Sequence, residues 1–519
     1  MSQFFASPGD GIRALYQKIV WTKGGEATPW DRERDLLRKI LELEGGSATP
    51  YDNDIHLLRK IILALGGNYH GMDLKNRLLT NIVLLRGGMP HSGDGENSLV
   101  AQWLAVESED LFVPLDDPTN LAAWYSSDVG VSLSGAEVTQ WNDRSGNARH
   151  LTPAAATNRP TLQAGALNGL PAVLFDGGDD YLQTAAFTLD QPFTCYFLAK
   201  QVTYTQFERL FQGADAGDAF MHQSNVVAPN VSMRTGVTTG PTFTAWTVGS
   251  YGILDAKWSG SNTKARFHQQ SEVGGDPGAA GLTGLKMCAN SSGGGVGNFE
   301  IVEVIFRSGV DDKLMTWRHY IYLASRAGFT VRQITCEGDS LTTGAGLALT
   351  AVFPHKVVVA KAPTLWGYNN LAVGGSVVQD LINRRQGITN RYYDRRVTQN
   401  ILTVWAGSND LVNGDSGQTV FQKLAAYCAA CRSRGFYVLV YTILPRTAIS
   451  GSAETQRSSL NALIRAHWTS FADALVDVAA DATLGAANAN LNLTYYVDGT
   501  HLTAAGHTIV GTLTTAQIP

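Results

Sequence analysis

Ile334-Thr335-Cys336-Glu337-Gly338-Asp339-Ser340-Leu341-Thr342 is the stretch on which the last third of the chain turns. A β-prone run ends in a Gly-Asp-Ser turn, followed by small residues suited to opening a helix. Such a turn holds a serine hydroxyl exposed above the end of a strand. Strand patterns are expected at 333–336, 365–369, 401–405, 437–442 and 474–478. Helical patterns fall between them, around 377–383, 419–433, 454–471 and 504–515. Alternating units of this length specify a parallel sheet covered by helices on both faces, a three-layer α/β domain over 331–519. In such sheets the functional site lies beyond the carboxyl ends of the strands.

Four polar blocks fall at those ends. Gly338-Asp339-Ser340 follows the first strand and Asn370-Leu371-Ala372-Val373-Gly374-Gly375-Ser376 the second. Gly407-Ser408-Asn409-Asp410 follows the third, and Asp498-Gly499-Thr500-His501 precedes the last helix. Singly, each block arises by chance, and for the serine block alone a tight strand-to-helix turn is the simpler reading. Together and in order they resemble the SGNH/GDSL hydrolase family. That resemblance implies a flavodoxin-like fold and a serine ester hydrolase without cofactor or metal. It makes Ser340 the nucleophile, His501 the general base and Asp498 the group that orients the imidazole. It places the oxyanion hole on Gly375, Asn409 and the Ser340 amide; the adjacent Gly374 leaves the glycine position open by one residue. The residue types suit the chemistry. A serine hydroxyl is a weak nucleophile until an imidazole takes its proton, and a carboxylate fixes that imidazole's tautomer. The developing oxyanion needs donors in place before reaction. Glu337 stands where members of the family more often carry an apolar or small residue; its role is left open between an interaction with the site and a solvent-facing position.

Upstream, over 98–330, short β-prone runs alternate with Gly, Asn, Asp and Ser clusters, which predicts an all-β sandwich. Trp141-Asn142-Asp143-Arg144-Ser145-Gly146-Asn147, Arg159-Pro160, Ala172-Val173-Leu174-Phe175-Asp176-Gly177 and Glu300-Ile301-Val302-Glu303-Val304-Ile305-Phe306 resemble the concanavalin A-like (laminin-G-type) fold. The resemblance implies a jelly roll and suggests glycan binding. Asp176, Asp179 and Asp180 carry the oxygen ligands calcium takes, but a solvated hairpin turn gives the same sequence and is preferred. Trp246 and Trp258 are candidates for stacking on sugars, with core packing the commoner role. No carboxylate pair here suggests glycosidase work.

Residues 1–97 repeat. Gly-Gly pairs begin at Gly24, Gly45, Gly66 and Gly87, a constant step of 21, and apolar helical patterns precede the last three. Thr28-Pro29-Trp30-Asp31 and Thr49-Pro50-Tyr51-Asp52 supply helix starts, and the glycines supply stops. Each unit is a helix whose apolar face needs a neighbour, so the segment reads as an attachment or oligomerisation module or a plain spacer. The order of helical repeats, sandwich and esterase resembles bacteriophage tail-fibre or tail-spike proteins. That resemblance implies a virion location, self-association (a trimer being common) and tail-protein partners through residues 1–97.

Composition narrows the rest. Of 519 residues, 16% are charged and 44% hydrophobic, with a net charge of −5, so a basic footprint for nucleic acid is lacking. No stretch has the apolar length that spans a bilayer, and the first residues lack the basic-then-apolar pattern of a secretory signal. Cys428 and Cys431 form a lone CxxC on an expected helix face, read as small buried residues rather than a zinc or redox pair.

Overall fold

A computed structural model of the chain describes residues 112–224, 229–244, 247–268, 272–361 and 365–519, together with 33–44, 54–64 and isolated positions up to residue 100. Contacts divide the chain into two compact units, one formed by Phe112–Thr330 and the other taking in Val331–Pro519.

The C-terminal region is built on five parallel strands: β1 Val331–Gly338, β2 Leu365–Asn370, β3 Gln399–Trp405, β4 Tyr437–Tyr441 and β5 Ala474–Val476. Their order in the sheet is β2-β1-β3-β4-β5. β1 therefore lies between β2 and β3, and the chain reverses its direction of winding there. The polar ends of these three strands thus converge, at the switch point where open α/β sheets form their crevices. Ile334, Cys336, Ile401, Leu402, Val404, Val438, Leu439 and Val440 are fully buried and share one core with the helices. Each aliphatic side chain so buried contributes about 1.5–3 kcal/mol relative to exposure.

Element bounds shift by a few residues from the sequence expectation. β1 runs on through Gly338, and the helices span Val378–Arg384, Gly417–Arg434, Ser452–His467 and Ala504–Ala516. The expected extension of one helix to 471 ends instead at His467, with a single 3₁₀ turn at Trp468–Ser470. A helix at Phe353–Ala360 was not expected, and its β-branched Val357, Val358 and Val359 do not favour one locally. Tertiary burial of Phe353 and Val357 overrides that local preference. Cys428 and Cys431 are buried and unpaired in the core.

The unit Phe112–Thr330 holds a ten-stranded and a six-stranded sheet and a helix, Lys313–Ala327, and every strand pair in both sheets is antiparallel. Phe197 and Phe306 of the larger sheet and Phe211, Met221 and Met233 of the smaller meet in one core. Trp258 belongs to that core, stacked on Phe193 at 4.9 Å, and so is not a sugar platform. Trp246 lies outside the described residues. Asp143 serves the fold: it accepts from the amides of Trp124, Ser145 and Arg149. Asp176, Asp179 and Asp180 have carboxylate oxygens within 4.8 Å of one another. Asp176 caps Gly178 at 2.7 Å and Asp180 accepts from the Asp176 amide at 3.1 Å, so two of the three already serve their own turn.

Near the N-terminus, helices Glu33–Leu43 and Asp54–Ala64 start 21 residues apart. They bury Leu36, Leu37, Ile40 and Leu41 together with Leu57, Leu58, Ile61 and Ile62. Of the pattern expected at 78–83, only Leu79 and Ile82 are described, and both join that cluster. The Gly-Gly pairs and the stretch from 101 to 111 lie outside the described residues.

Candidate active site

Ser340 opens a one-turn helix, Ser340–Thr343, immediately beyond β1. Asp339 caps that helix by accepting from the Leu341 amide at 2.9 Å, satisfying one of the donors a helix start leaves unpaired. Gly338 allows the turn. A Cβ there would stand 2.4 Å from both Thr342 Oγ1 and the Trp405 carbonyl oxygen, so only glycine lets β1 press against the end of β3. Burial pushes the Asp339 carboxyl up to about 6, partly offset by the Leu341 amide and Arg446.

The Asp498–His501 block brings the imidazole over this serine. His501 Nε2 is 2.9 Å from Ser340 Oγ, and Nδ1 is 2.7 Å from Asp498 Oδ2. The second Asp498 oxygen accepts from the amides of Thr500 and His501, at 2.9 and 2.8 Å. The His501 amide and then its side chain are the main causes that hold the Asp498 carboxyl down at about 2. Asp498 is thus an anion at any working pH. The network assigns the Nδ1 proton to the Asp498 side and leaves Nε2 free to accept from Ser340.

The loop after β2 supplies the other wall. The amides of Ser340, Gly374 and Gly375 donate to no group among the described residues. Gly375 has φ +81°, a conformation that favours glycine. A Cβ on Gly374 would come 3.8 Å from the Ser340 Cβ, whereas one on Gly375 meets nothing within 4 Å. The first glycine therefore lies against Ser340, and the second turns the chain. Asn409, beyond β3, donates from Nδ2 to the Ser376 carbonyl at 3.0 Å and lies 3.4 Å from Asp339 Oδ2. One of its two amide hydrogens is thus anchored and the other only loosely held.

Three residues of this site did not stand out in the sequence. Arg446, after β4, donates to Ser408 Oγ at 2.8 Å and Asn409 Oδ1 at 3.0 Å, which turns the Nδ2 end of the Asn409 amide to Ser376 and Asp339. Asp410 accepts from the Val378 amide through both carboxylate oxygens and so ties the Asn409 loop to the helix behind Gly375. Arg384 joins Glu337 to Ser376, donating to the Ser376 hydroxyl at 3.0 Å. Glu337, left open by the sequence between the site and solvent, is fully buried, and its second oxygen accepts from Thr389 at 2.6 Å. Burial raises its pKa, opposed by Arg384. Of the three, only Asp410 carried a signal, its position directly after Asn409.

Residues 336–509 match the family model of the GDSL-like lipase/acylhydrolase family. No curated protein matches the chain. Among solved structures, a lipolytic protein of the G-D-S-L family from Veillonella parvula is 13% identical, covering 36% of this chain and 97% of that one, with a TM-score of 0.31. A GDSL-like lipase from Bacteroides thetaiotaomicron is 18% identical, covering 39% and 97%, with a TM-score of 0.30. An acetyl-xylooligosaccharide esterase from Geobacillus is 15% identical, covering 36% and 94%, with a TM-score of 0.31. The C-terminal region is a GDSL-like (SGNH) hydrolase domain, and the protein is an ester hydrolase of that type.

Proposed function

We propose that the protein is a serine esterase that removes acetyl groups from a carbohydrate polymer, with the two-sheet unit holding the glycan. The observation that carries the mechanism is the 2.9 Å contact of Ser340 Oγ with an imidazole whose other nitrogen sits 2.7 Å from the Asp498 carboxylate. In this reading Ser340 Oγ attacks the ester carbonyl as its proton passes to His501 Nε2. The carbonyl oxygen becomes an oxyanion held by the amides of Ser340 and Gly375 and by Asn409 Nδ2. Collapse expels the sugar alkoxide, which takes the proton from His501 and leaves an acyl-serine. Water, deprotonated by the same imidazole, then releases acetate and restores Ser340.

A small acyl group on a bulky alcohol suits the openness of the site. Val373 is 53% exposed, Val497 57% and the Asp498 side chain 52%, and Gly374 and Gly375 are also exposed. These rims leave room for a polymer beside the nucleophile. The two antiparallel sheets sharing one core support the lectin-like reading of 98–330 as the jelly-roll domain. In the same proposal, residues 1–97 assemble the chain into a homo-oligomer, for which a trimer is the common form in tail proteins, and attach it to a phage tail; helices Glu33–Leu43 and Asp54–Ala64 bury their apolar faces within the chain, so assembly would use the rest of the segment.

Acetate release from acetylated polysaccharide, compared between the full chain and Ser340→Ala, tests the mechanism. Loss of release with the variant is expected, and equal rates would sink it, leaving a protein that binds without catalysis through this serine. Light scattering on a chain lacking residues 1–97 tests assembly, and an unchanged particle mass per chain counts against it.

A further inference from the structure

The outward face of the six-stranded sheet carries cations that no described residue pairs. Strand Ala219–Gln223 lies between Arg209–Gln212 and Asn230–Thr235. In register, Arg209 opposes His222, His222 opposes Ser232, and Phe220 opposes Arg234. Residues opposed in this way share a face. Phe211, Met221, Val231 and Met233 point into the core; the register shifts between Arg209 and Phe211, which breaks the alternation on that strand, so Arg209, Phe220, His222 and Arg234 occupy the other side.

That side is organised around rings. The Phe207 ring stacks on His222 at 5.9 Å and 10°, and the Arg209 guanidinium lies 4.3 Å over Phe220. Phe207 is 49% exposed at the rim, while His222 is 1% exposed with neither ring nitrogen partnered. Burial first, and then Arg209 and Arg234, press the imidazole down to about 3, so it is neutral. Arg209 donates only to neutral oxygens, those of Gln212 and the Phe207 carbonyl, and Arg234 Nε has no partner. Among the described residues neither guanidinium has a carboxylate within 4.0 Å. Residues 225–228, 245–246 and 269–271, undescribed in this unit, include no Asp or Glu. Glu208, beside Arg209, is no counter-ion: its own Oε2 is buried without a partner.

Elsewhere the same unit pairs the arginines it buries: Arg266 with Asp255 at 2.6 Å, Arg307 with Asp311 at 2.8 Å and Arg326 with Glu303 at 2.8 Å. Two like charges left together beside an unpartnered imidazole are a cost with no return inside the chain. A carboxylate placed between them would remove it, because guanidinium forks match carboxylates in pairs of parallel hydrogen bonds. The exposed Phe207 ring offers an apolar platform beside them, of the kind a sugar ring covers.

We propose that this face binds a carboxylated sugar, a uronate unit of an acidic polysaccharide, through Arg209 and Arg234 with Phe207 as its platform. This rests on the reading that the two-sheet unit holds glycan, and it specifies the charge of that glycan. The test is binding of the full-length chain to polygalacturonate, neutral galactan and dextran sulfate, by affinity electrophoresis and calorimetry. Binding to polygalacturonate is expected to exceed that to galactan, to weaken with added salt, and to fall about tenfold or more in Arg209→Gln and in Arg234→Gln. Hydrolysis of p-nitrophenyl acetate is expected to stay unchanged in both. Should Arg209→Gln not fold, Arg234→Gln alone decides, since its Nε holds nothing in place. Equal binding to galactan, tighter binding to dextran sulfate, no binding to any polymer, or an unaltered Arg234→Gln would each overturn the proposal. Acetate release from a neutral acetylated polymer without uronate binding would overturn this inference and leave the esterase reading standing.

Discussion

Glu337 Oε2 accepts from both Nε and a terminal nitrogen of Arg384, at 3.1 and 2.5 Å, directly beneath the Gly338-Asp339-Ser340 turn. The same guanidinium holds the Ser376 hydroxyl, so one buried ion pair links the strand that ends at Ser340 to the glycine loop. Removing one partner of a buried pair strands the other, which costs about 3–5 kcal/mol. Arg384→Met is therefore expected to lower the denaturation midpoint strongly, because Glu337 is 0% exposed. Replacing both, as Glu337→Leu with Arg384→Met, is expected to regain most of that stability. It does not restore the hold on Ser376, so kcat stays depressed while KM changes little. Recovery of kcat along with stability would show that the pair is only structural.

The amide of Asn409 is aligned from one end by Arg446 and from the other by the Ser376 carbonyl. Removing an oxyanion donor costs about two to three orders of magnitude in turnover, so, if Asn409 acts as the proposal has it, Asn409→Ala is expected to show that loss in kcat. Arg446→Met leaves the donor but frees the amide to rotate, so a smaller loss is expected. Arg446→Lys retains one donor and restores part of it. Steady-state kinetics on p-nitrophenyl acetate separates the three. A loss in Arg446→Met equal to that in Asn409→Ala would mean that the arginine does more than align.

Asp498 holds the His501 tautomer from a half-exposed position, its side chain being 52% accessible. Water is able to take the place of this carboxylate in Asp498→Ala. In Asp498→Asn the amide group presents hydrogens to Nδ1 and drives the ring proton to Nε2, where it blocks acceptance from Ser340. The asparagine variant is therefore expected to be the slower of the two, by about tenfold or more, although it is the closer in shape. Equal rates would show that Asp498 acts by charge alone.

What the sequence made legible follows from how local each feature is. The strands of the α/β domain were readable because apolar runs ended in turn residues, and their ends carried the polar blocks. Ser340, Asp498 and His501 were found because each sits in a block fixed by local turn geometry, and the structure brings all three into one hydrogen-bonded chain. Arg384, Arg446 and Glu337 act through partners between 8 and 52 positions away, and no local pattern announces such a pairing. The helix Phe353–Ala360 was hidden for the same reason: its valines favour strand locally and are overruled by a core formed by distant residues. The unpaired Arg209 and Arg234 were invisible too, since only sheet register places them on one face.

Asp339 couples the Gly338-Asp339-Ser340 turn to pH. Its carboxyl is 1% exposed, and burial raises it from 3.8 to about 6. Folding thus raises this group's affinity for its proton. Between about pH 4 and 6 the folded chain binds more protons than the unfolded one, and this group's contribution makes stability fall as pH rises across that window. Above it the buried anion costs about 3 kcal/mol, taking about 1.4 kcal/mol for each tenfold change in proton affinity. Asp339→Asn removes the charge and keeps an oxygen to cap Leu341, so the variant is expected to be more stable than the parent at pH 7–8, by up to that amount. The gain is reduced by whatever the 3.4 Å contact with Asn409 contributes. At pH 4, where the parent's carboxyl is already protonated in the folded chain, the two proteins are expected to denature together. Thermal denaturation at pH 4, 6 and 8 measures this. A gain that persists unchanged at pH 4 would show that the benefit comes from packing and that the Asp339 charge is not a burden on the fold.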